Sequence, residues 1–202
     1  MESKNSNKKI NVRHLTTTAM LAAISWVLYL IQFKIPVVPS FMSMDFSETP
    51  AVIASLAMGP GAGVMVCLIK NIMHLLVSRS MWIGELSNFI LGVALVVPCG
   101  LIYQKKKTRK NAVIALAVGL ITMSVTCVFS NYFIVYPLYD KYVLPMEAIL
   151  AMYNAILPSV TSLLPALIIF NVPFTFVKGF VCALVTFFIY KPLSKIIKNG
   201  IN

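Results

Sequence analysis

Ser47-Glu48-Thr49-Pro50-Ala51-Val52-Ile53-Ala54-Ser55-Leu56-Ala57-Met58, then Gly59-Pro60-Gly61-Ala62-Gly63, then Val64 on to Ser78, is an apolar stretch broken in one place. How it is cut decides the architecture. Proline beside several glycines is turn chemistry, because proline cannot continue a helix and glycine tolerates the backbone angles a reversal needs. The surrounding sequence supplies the context: of 202 residues 59% are hydrophobic and only 11% charged, with a mean hydropathy of +0.86. Those values lie far from soluble averages and read as a chain embedded in a bilayer. Charge parity then chooses the cut. If residue 1 starts in the cytoplasm and the stretch crosses once, Lys105, Lys106, Lys107, Arg109 and Lys110 fall outside, against the positive-inside tendency. Two crossings place them inside, so the glycine-proline break is a cytoplasmic hairpin joining a short helix, Ser47 to Met58, to a second from Gly61 to Ser78. At 1.5 Å per residue the first is about 18 Å long, too short to cover the hydrocarbon unaided.

Working outward, four further apolar runs match the ~20 residues a spanning helix needs: Leu15 to Phe33, Glu85 to Tyr103, Ala112 to Tyr136 and Pro165 to Tyr190. In lipid a helix satisfies its own backbone groups, so a single all-α domain of six transmembrane helices follows, with both termini cytoplasmic and a long first outer loop. The expected layout is a cytoplasmic segment over 1–14, an outer loop over 34–46, a cytoplasmic basic loop over 104–111, an outer loop over 137–164 and a cytoplasmic tail over 191–202. Within the second outer loop, Met146 to Leu157 is apolar and flanked by Pro145 and Pro158, which suits a surface or re-entrant helix. The basic start followed by an apolar run resembles a signal peptide, but the run continues to Phe33 without a small-residue cleavage site and reads as a retained span.

The net charge of +11 could suggest nucleic acid. Its distribution points instead to topology signals: Lys4, Lys8, Lys9 and Arg13; the 105–110 cluster; Lys191, Lys195 and Lys198. No basic region carries interleaved aromatics in a soluble setting. Cys67, Cys99, Cys127 and Cys182 stand singly in apolar runs and read as small buried hydrophobes. The sequence has no phosphate-binding G-x-x-x-x-G-K-[ST], no H-E-x-x-H and no G-x-S-x-G, and its two histidines, His14 and His74, are far apart. There is no internal repeat of the secondary-transporter kind.

Polar side chains inside membrane spans are costly and are functional candidates by default. Asn171, Thr175 and Lys178 share one face of the last helix at i, i+4 and i+7, and Lys178 reads either as a ligand contact or as a structural ion-pair partner. Asn131 near the outer end of the run from Ala112 to Tyr136 reads as a ligand contact or an interhelical hydrogen bond. Glu48 and Asp45 at the start of the short helix fit a site, and also N-capping and dipole stabilisation. Lys70, Asn71 and His74 share a face and read as bracing Glu85 and Asn88, in preference to direct substrate contact. Ala19-x-x-x-Ala23 and Thr18-x-x-x-Ala22 on the first helix permit close helix approach, within the bundle or to a partner. A membrane-embedded enzyme with Lys70, His74 and Glu85 as its acid-base set is the rival class.

Together, Phe33-Lys34-Ile35-Pro36, Asp45-Phe46-Ser47-Glu48-Thr49-Pro50, Gly59-Pro60-Gly61-Ala62-Gly63, Leu68-Ile69-Lys70-Asn71, Gly84-Glu85-Leu86-Ser87-Asn88-Phe89, Asn131-Tyr132-Phe133 and Pro173-Phe174-Thr175-Phe176-Val177-Lys178-Gly179 give the chain a family likeness. In order and spacing they resemble the riboflavin-specific S component of energy-coupling factor transporters, over nearly the whole chain. The resemblance implies a six-helix bundle in a bacterial cell membrane whose first outer loop lids an outward-facing pocket. It also implies partnership with a transmembrane coupling subunit and two ATPases, docked on Ala19 and Ala23. Riboflavin would be cargo, with no resident cofactor or metal and no catalysis. The pocket residues it implies are Phe41, Met42, Ser43, Asp45, Glu48, Gly84, Asn131, Phe174, Thr175 and Lys178. Thr175 departs from the Asn expected there, which removes an amide and leaves another vitamin or heterocycle open. An isoalloxazine ring presents acceptor, donor and acceptor along its pyrimidine edge, which Asn131 and Lys178 can meet. Phe41, Met42 and Phe174 suit its flat body, and Glu48 and Asp45 could accept from the ribityl hydroxyls. Few outer-side cations, chiefly Lys34, Arg79 and Lys141, favour the free vitamin over its nucleotide form.

Overall fold

The computed structural model describes residues 12–39, 41–78 and 81–199. Lys4, Lys8, Lys9 and Arg79 lie outside the described residues. The helices are α1 (Val12–Leu30), α2 (Glu48–Met58), α3 (Pro60–His74, prolonged by a 3-10 turn, Leu75–Val77), α4 (Ile83–Lys105), α5 (Arg109–Ser130), α6 (Tyr136–Tyr142), α7 (Met146–Ile156), α8 (Leu163–Ala166) and α9 (Val172–Asn199). Two π turns, Asn131–Val135 and Leu167–Asn171, join α5 to α6 and α8 to α9. The nine segments thus form seven continuous helices among the described residues, rather than the six expected; the addition is α7, the apolar segment of the second long connection. Four of them are long and apolar enough to cross a membrane: Pro60–Val77, Ile83–Lys105, Arg109–Tyr142 and Leu163–Pro192.

The glycine-proline break behaves as its chemistry requires. Gly59 closes α2 at φ +104°, donating its N–H to Ser55 O at 2.9 Å, and Pro60 opens α3 at a first-turn position where its missing N–H costs nothing. A side chain with a Cβ is strained at that φ. The resulting α2–α3 hairpin brings α2 into the middle of the bundle, against α1, α3, α4 and α9. Glu48 through Ala57 are all buried. Small residues permit this: a Cβ added at Gly100 of α4 would sit 2.5 Å from Ser55 Oγ and 2.7 Å from Pro60 N. Enclosed by its neighbours, α2 need not match the full hydrocarbon thickness by its own length in order to cross.

Polarity is distributed inside out. Lys70 and Glu48 are fully buried, while Ile121, Phe129, Phe176, Phe180 and Phe188 are exposed on the outer faces of the long helices. Lipid is the solvent that makes such a surface stable. On α1, Thr18 and Ala22 are buried within the bundle, whereas Ala19 and Ala23 are exposed. The four cysteines are buried and form no disulfide.

Each π turn lies just ahead of a proline, Pro137 after the first and Pro173 after the second. In a regular helix the proline ring meets the carbonyl four residues back and leaves it unbonded; a widened turn relieves both problems. The α5–α6 rod therefore runs on to Tyr142, and the connection expected to begin at Pro137 is shorter and largely filled by α7. At the same end of the bundle, the 31–47 connection is closed at its neck. Phe33 and Met44 form an antiparallel bridge, with N···O distances of 3.0 and 2.9 Å.

Candidate functional site

A cavity of about 630 Å³ opens where the 31–47 connection, α3, α4, α9 and the first π turn meet. Small-molecule pockets occupy roughly this size range, about 300–1,000 Å³. Of the residues expected in a site, Phe41, Met42, Ser43, Gly84, Asn131, Phe174, Thr175 and Lys178 line it. The two acids do not.

Asp45 and Glu48 lie outside the lining, each held in an ion pair. Lys178 Nζ donates to Asp45 Oδ2 at 2.8 Å and to Asn88 Oδ1 at 3.1 Å. Lys70 Nζ donates to Glu48 Oε1 at 2.6 Å and to Ser47 Oγ at 2.7 Å, and neither the Lys70 nor the Glu48 side chain is exposed at all. The physical reason is the cost of an unpaired charge in an apolar interior: each buried lysine must meet an acid, and these acids are the ones in reach. Both pairs converge on the turn before α2. The Ser47 backbone N–H donates to Asp45 Oδ1 at 2.9 Å, and Ser25 Oγ donates to the Ser47 carbonyl. Burial raises the Asp45 carboxyl pKa, but the Lys178 and Lys70 charges, with hydrogen bonds from Lys178 and Ser47, outweigh it and hold the group below its usual value.

The expected bracing around α3 is divided. His74 Nδ1 lies 2.8 Å from Glu85 Oε1, as a brace should. Lys70 goes to Glu48 instead, and Asn71 donates to the Cys67 carbonyl of its own helix at 2.7 Å. Asn88 donates to the Tyr29 hydroxyl while accepting from Lys178. The set Lys70, His74 and Glu85 is therefore split between the Lys70–Glu48 ion pair and the hydrogen-bonded His74–Glu85 pair rather than gathered around one reacting point.

On the opposite side, Asn131 Nδ2 donates to Cys127 Sγ at 3.2 Å, and Thr175 Oγ1 lies 3.2 Å from the same sulfur. One thiol thus holds both side chains at the cavity edge. Asn171 joins a closed ring in which Tyr153 Oη donates to its Oδ1 at 2.6 Å and its Nδ2 donates to Tyr136 Oη at 2.9 Å; the two tyrosine hydroxyls bond each other. The ring ties α7 to the start of α6 and to the second π turn. Phe41 packs against Tyr136, Tyr139 and Tyr153, with ring centroids 6.0 to 6.3 Å apart, so the 31–47 connection rests on it.

Sequence reasoning left several lining residues unassigned to the site: Tyr29, Gln32, His74, Glu85, Asn88 and Tyr136. The intramembrane polarity of Asn88 was the available signal; the tyrosines carried none, since an aromatic in an apolar run reads as packing.

The family described as ECF transporter, substrate-specific component, matches residues 13–190. Among curated proteins, the riboflavin transporter RibU of Staphylococcus aureus (strain TCH60) is 31% identical, over 96% of this chain and 99% of that protein. The riboflavin transporter FmnP of Bacillus subtilis (strain 168) is 30% identical, over 92% and 94%. A solved structure of the S component of a bacterial ECF transporter superposes with a TM-score of 0.71 at 30% identity, over 93% of this chain and 98% of its own. The chain is an integral, multi-pass membrane protein and belongs to the substrate-specific components of ECF transporters.

Proposed function

We propose that this chain captures riboflavin at the outer face of a bacterial cell membrane and hands it to a transmembrane coupling subunit powered by two ATPase subunits, performing no chemistry itself. The observation that carries this reading is the cavity, with Lys178, Asn131 and Thr175 on its rim and Phe41, Met42 and Phe174 among its walls. A flat heterocycle with a polar edge suits such a lining. Lys178 has three donors, of which Asp45 and Asn88 take two, so one remains for a ring acceptor. Asp45 orients that ammonium rather than touching the ligand, and Glu48 neutralises Lys70 beneath the site. Ser43 and Gly84, which the resemblance also implies as ligand contacts, line the same cavity.

Six crossings with cytoplasmic termini remain the topology we infer. The four long apolar helices supply four, α1 and the central α2 the other two, and α7 lies along the surface. The basic 105–110 cluster, around the junction of α4 and α5, then faces the cytoplasm. Exposed Ala19 and Ala23 offer a smooth strip for the coupling subunit.

The test is direct. Protein purified in detergent from cells grown in rich medium should be yellow, with flavin absorbance released on denaturation. A colourless preparation without measurable riboflavin affinity would defeat the reading. Thr175 favours a check on ligand identity, because its hydroxyl, turned to Cys127, cannot reproduce an amide's paired donor and acceptor. A competition panel of vitamins should leave riboflavin the strongest ligand.

A further inference from the structure

With Asp45 committed to Lys178 and Glu48 to Lys70, and neither acid in the lining, the partners expected for a ligand's hydroxyls are missing from the cavity. A different set of polar side chains stands there. Ser43 Oγ donates to Gln32 Oε1 at 2.8 Å, Gln32 Nε2 faces His74 Nε2 at 3.2 Å, and His74 Nδ1 faces Glu85 Oε1 at 2.8 Å. All four side chains line the cavity, and they come from three places: Gln32 and Ser43 from the two ends of the 31–47 connection, His74 from α3 and Glu85 from α4.

The order of donors can be read along this chain. Because Gln32 accepts through its oxygen from Ser43, the amide nitrogen is the atom turned to His74. His74 Nε2 must then accept, its proton sits on Nδ1, and Nδ1–H donates to the Glu85 carboxylate. Tyr29 stacks on the imidazole with centroids 3.7 Å apart and planes 18° from parallel, which fixes the ring's orientation. The row is therefore a wall of amide, hydroxyl and carboxylate groups held in one register. After donating to Gln32, the Ser43 oxygen keeps lone pairs for a further donor, and a primary amide has a second N–H beyond the one shared with His74.

We infer that this Ser43–Gln32–His74–Glu85 wall receives the polyol part of the ligand, while the Asn131–Thr175–Lys178 side takes the ring edge. The inference rests on the riboflavin reading. A sugar-alcohol tail carries hydroxyls that each donate and accept, and a fixed row of alternating donors and acceptors is what distinguishes such a tail from an apolar substituent. A buried polar wall left without partners penalises a ligand that lacks them.

The experiment compares two ligands on the full-length protein in detergent: riboflavin, and lumiflavin, which has the same ring with a methyl group in place of the ribityl chain. Both are titrated by flavin fluorescence against the unaltered protein, Ser43→Ala, Gln32→Ala and His74→Ala. Each substitution is expected to weaken riboflavin about tenfold and to change lumiflavin by less than about twofold. Equal losses for both ligands would mean that the wall only supports the fold and would overturn the inference, as would unchanged riboflavin affinity. His74→Ala also removes the stack on Tyr29 and the pair with Glu85, so a variant of it that fails to fold leaves the decision to Ser43→Ala and Gln32→Ala, which disturb neither. An unaltered protein that binds neither flavin would instead refute the riboflavin reading, and this assignment with it.

Discussion

Replacing Lys178 with Met keeps the length of the stem and deletes one ammonium. The structure gives that ammonium two duties. It neutralises Asp45, which is 1% exposed and otherwise bonded through Oδ1 to the Ser47 N–H, and it offers its third donor to the ligand. Removing one partner of a buried ion pair costs about 3–5 kcal/mol of stability, because the other charge is stranded. Losing a hydrogen bond from a charged donor costs the ligand about 1.5–3 kcal/mol, a factor of about 10–150 in Kd. The two duties separate in the double variant Lys178→Met with Asp45→Asn. Its neutral amide still accepts from the Ser47 N–H but no longer needs a counter-ion, so most of the stability should return while the affinity stays low. Thermal unfolding in detergent and flavin fluorescence titration measure the two quantities on the same preparation. A double variant that binds riboflavin within about threefold of the unaltered protein would refute the claim that Lys178 touches the ligand, whatever happens to the single variant.

Gly59→Ala forces a Cβ onto φ +104° and should cost about 1–2 kcal/mol, seen as a lowered unfolding temperature with ligand affinity per folded molecule unchanged. Gly100→Ala collides with the Ser55 side chain and the Pro60 backbone and should be destabilising by about 1–3 kcal/mol in the same assay. Ala19→Trp or Ala23→Trp, on the exposed strip of α1, should leave riboflavin binding intact and abolish both co-purification with the coupling subunit and cellular uptake; preserved uptake would sink the docking assignment. Because the folded-state pKa of Asp45 lies below its ordinary value of 3.8, its contribution to stability is fully present above that value and is lost as pH falls through the lower, folded one. Acid titration of the unfolding temperature checks this, and Asp45→Asn should lack that part of the acid limb.

The helical hairpin was legible because its determinants are local: Gly59 and Pro60 impose their angles on neighbours whatever surrounds them. The same holds for α7, whose apolar run between Pro145 and Pro158 marks a helix without fixing its depth. The π turns were not legible, although Pro137 and Pro173 gave warning that regular bonding would fail there. At the site, Lys178, Asn131 and Thr175 stood out because polar groups are rare in apolar helices. What the sequence could not assign was which lysine each acid would meet. Asp45 pairs across 133 positions with Lys178 and Glu48 across 22 with Lys70, a choice made by the packing of α2 among its neighbours rather than by any local pattern. The hydroxyl-facing role expected of those acids was displaced for that reason.

The widened turn at Leu167–Asn171 carries one further implication, for how this chain can drift. Such a turn accommodates an extra residue, and were the rod to take up ordinary winding, with 3.6 residues per turn, while keeping every residue, that extra one would have to join the spiral. Everything on one side would then rotate by about 100° against the other. Thr175 and Lys178 could not keep their bearing on the cavity while Leu163 to Ala166 kept theirs against α7. A substitution that made this segment wind regularly at unchanged length would therefore remove binding without altering any residue that lines the pocket.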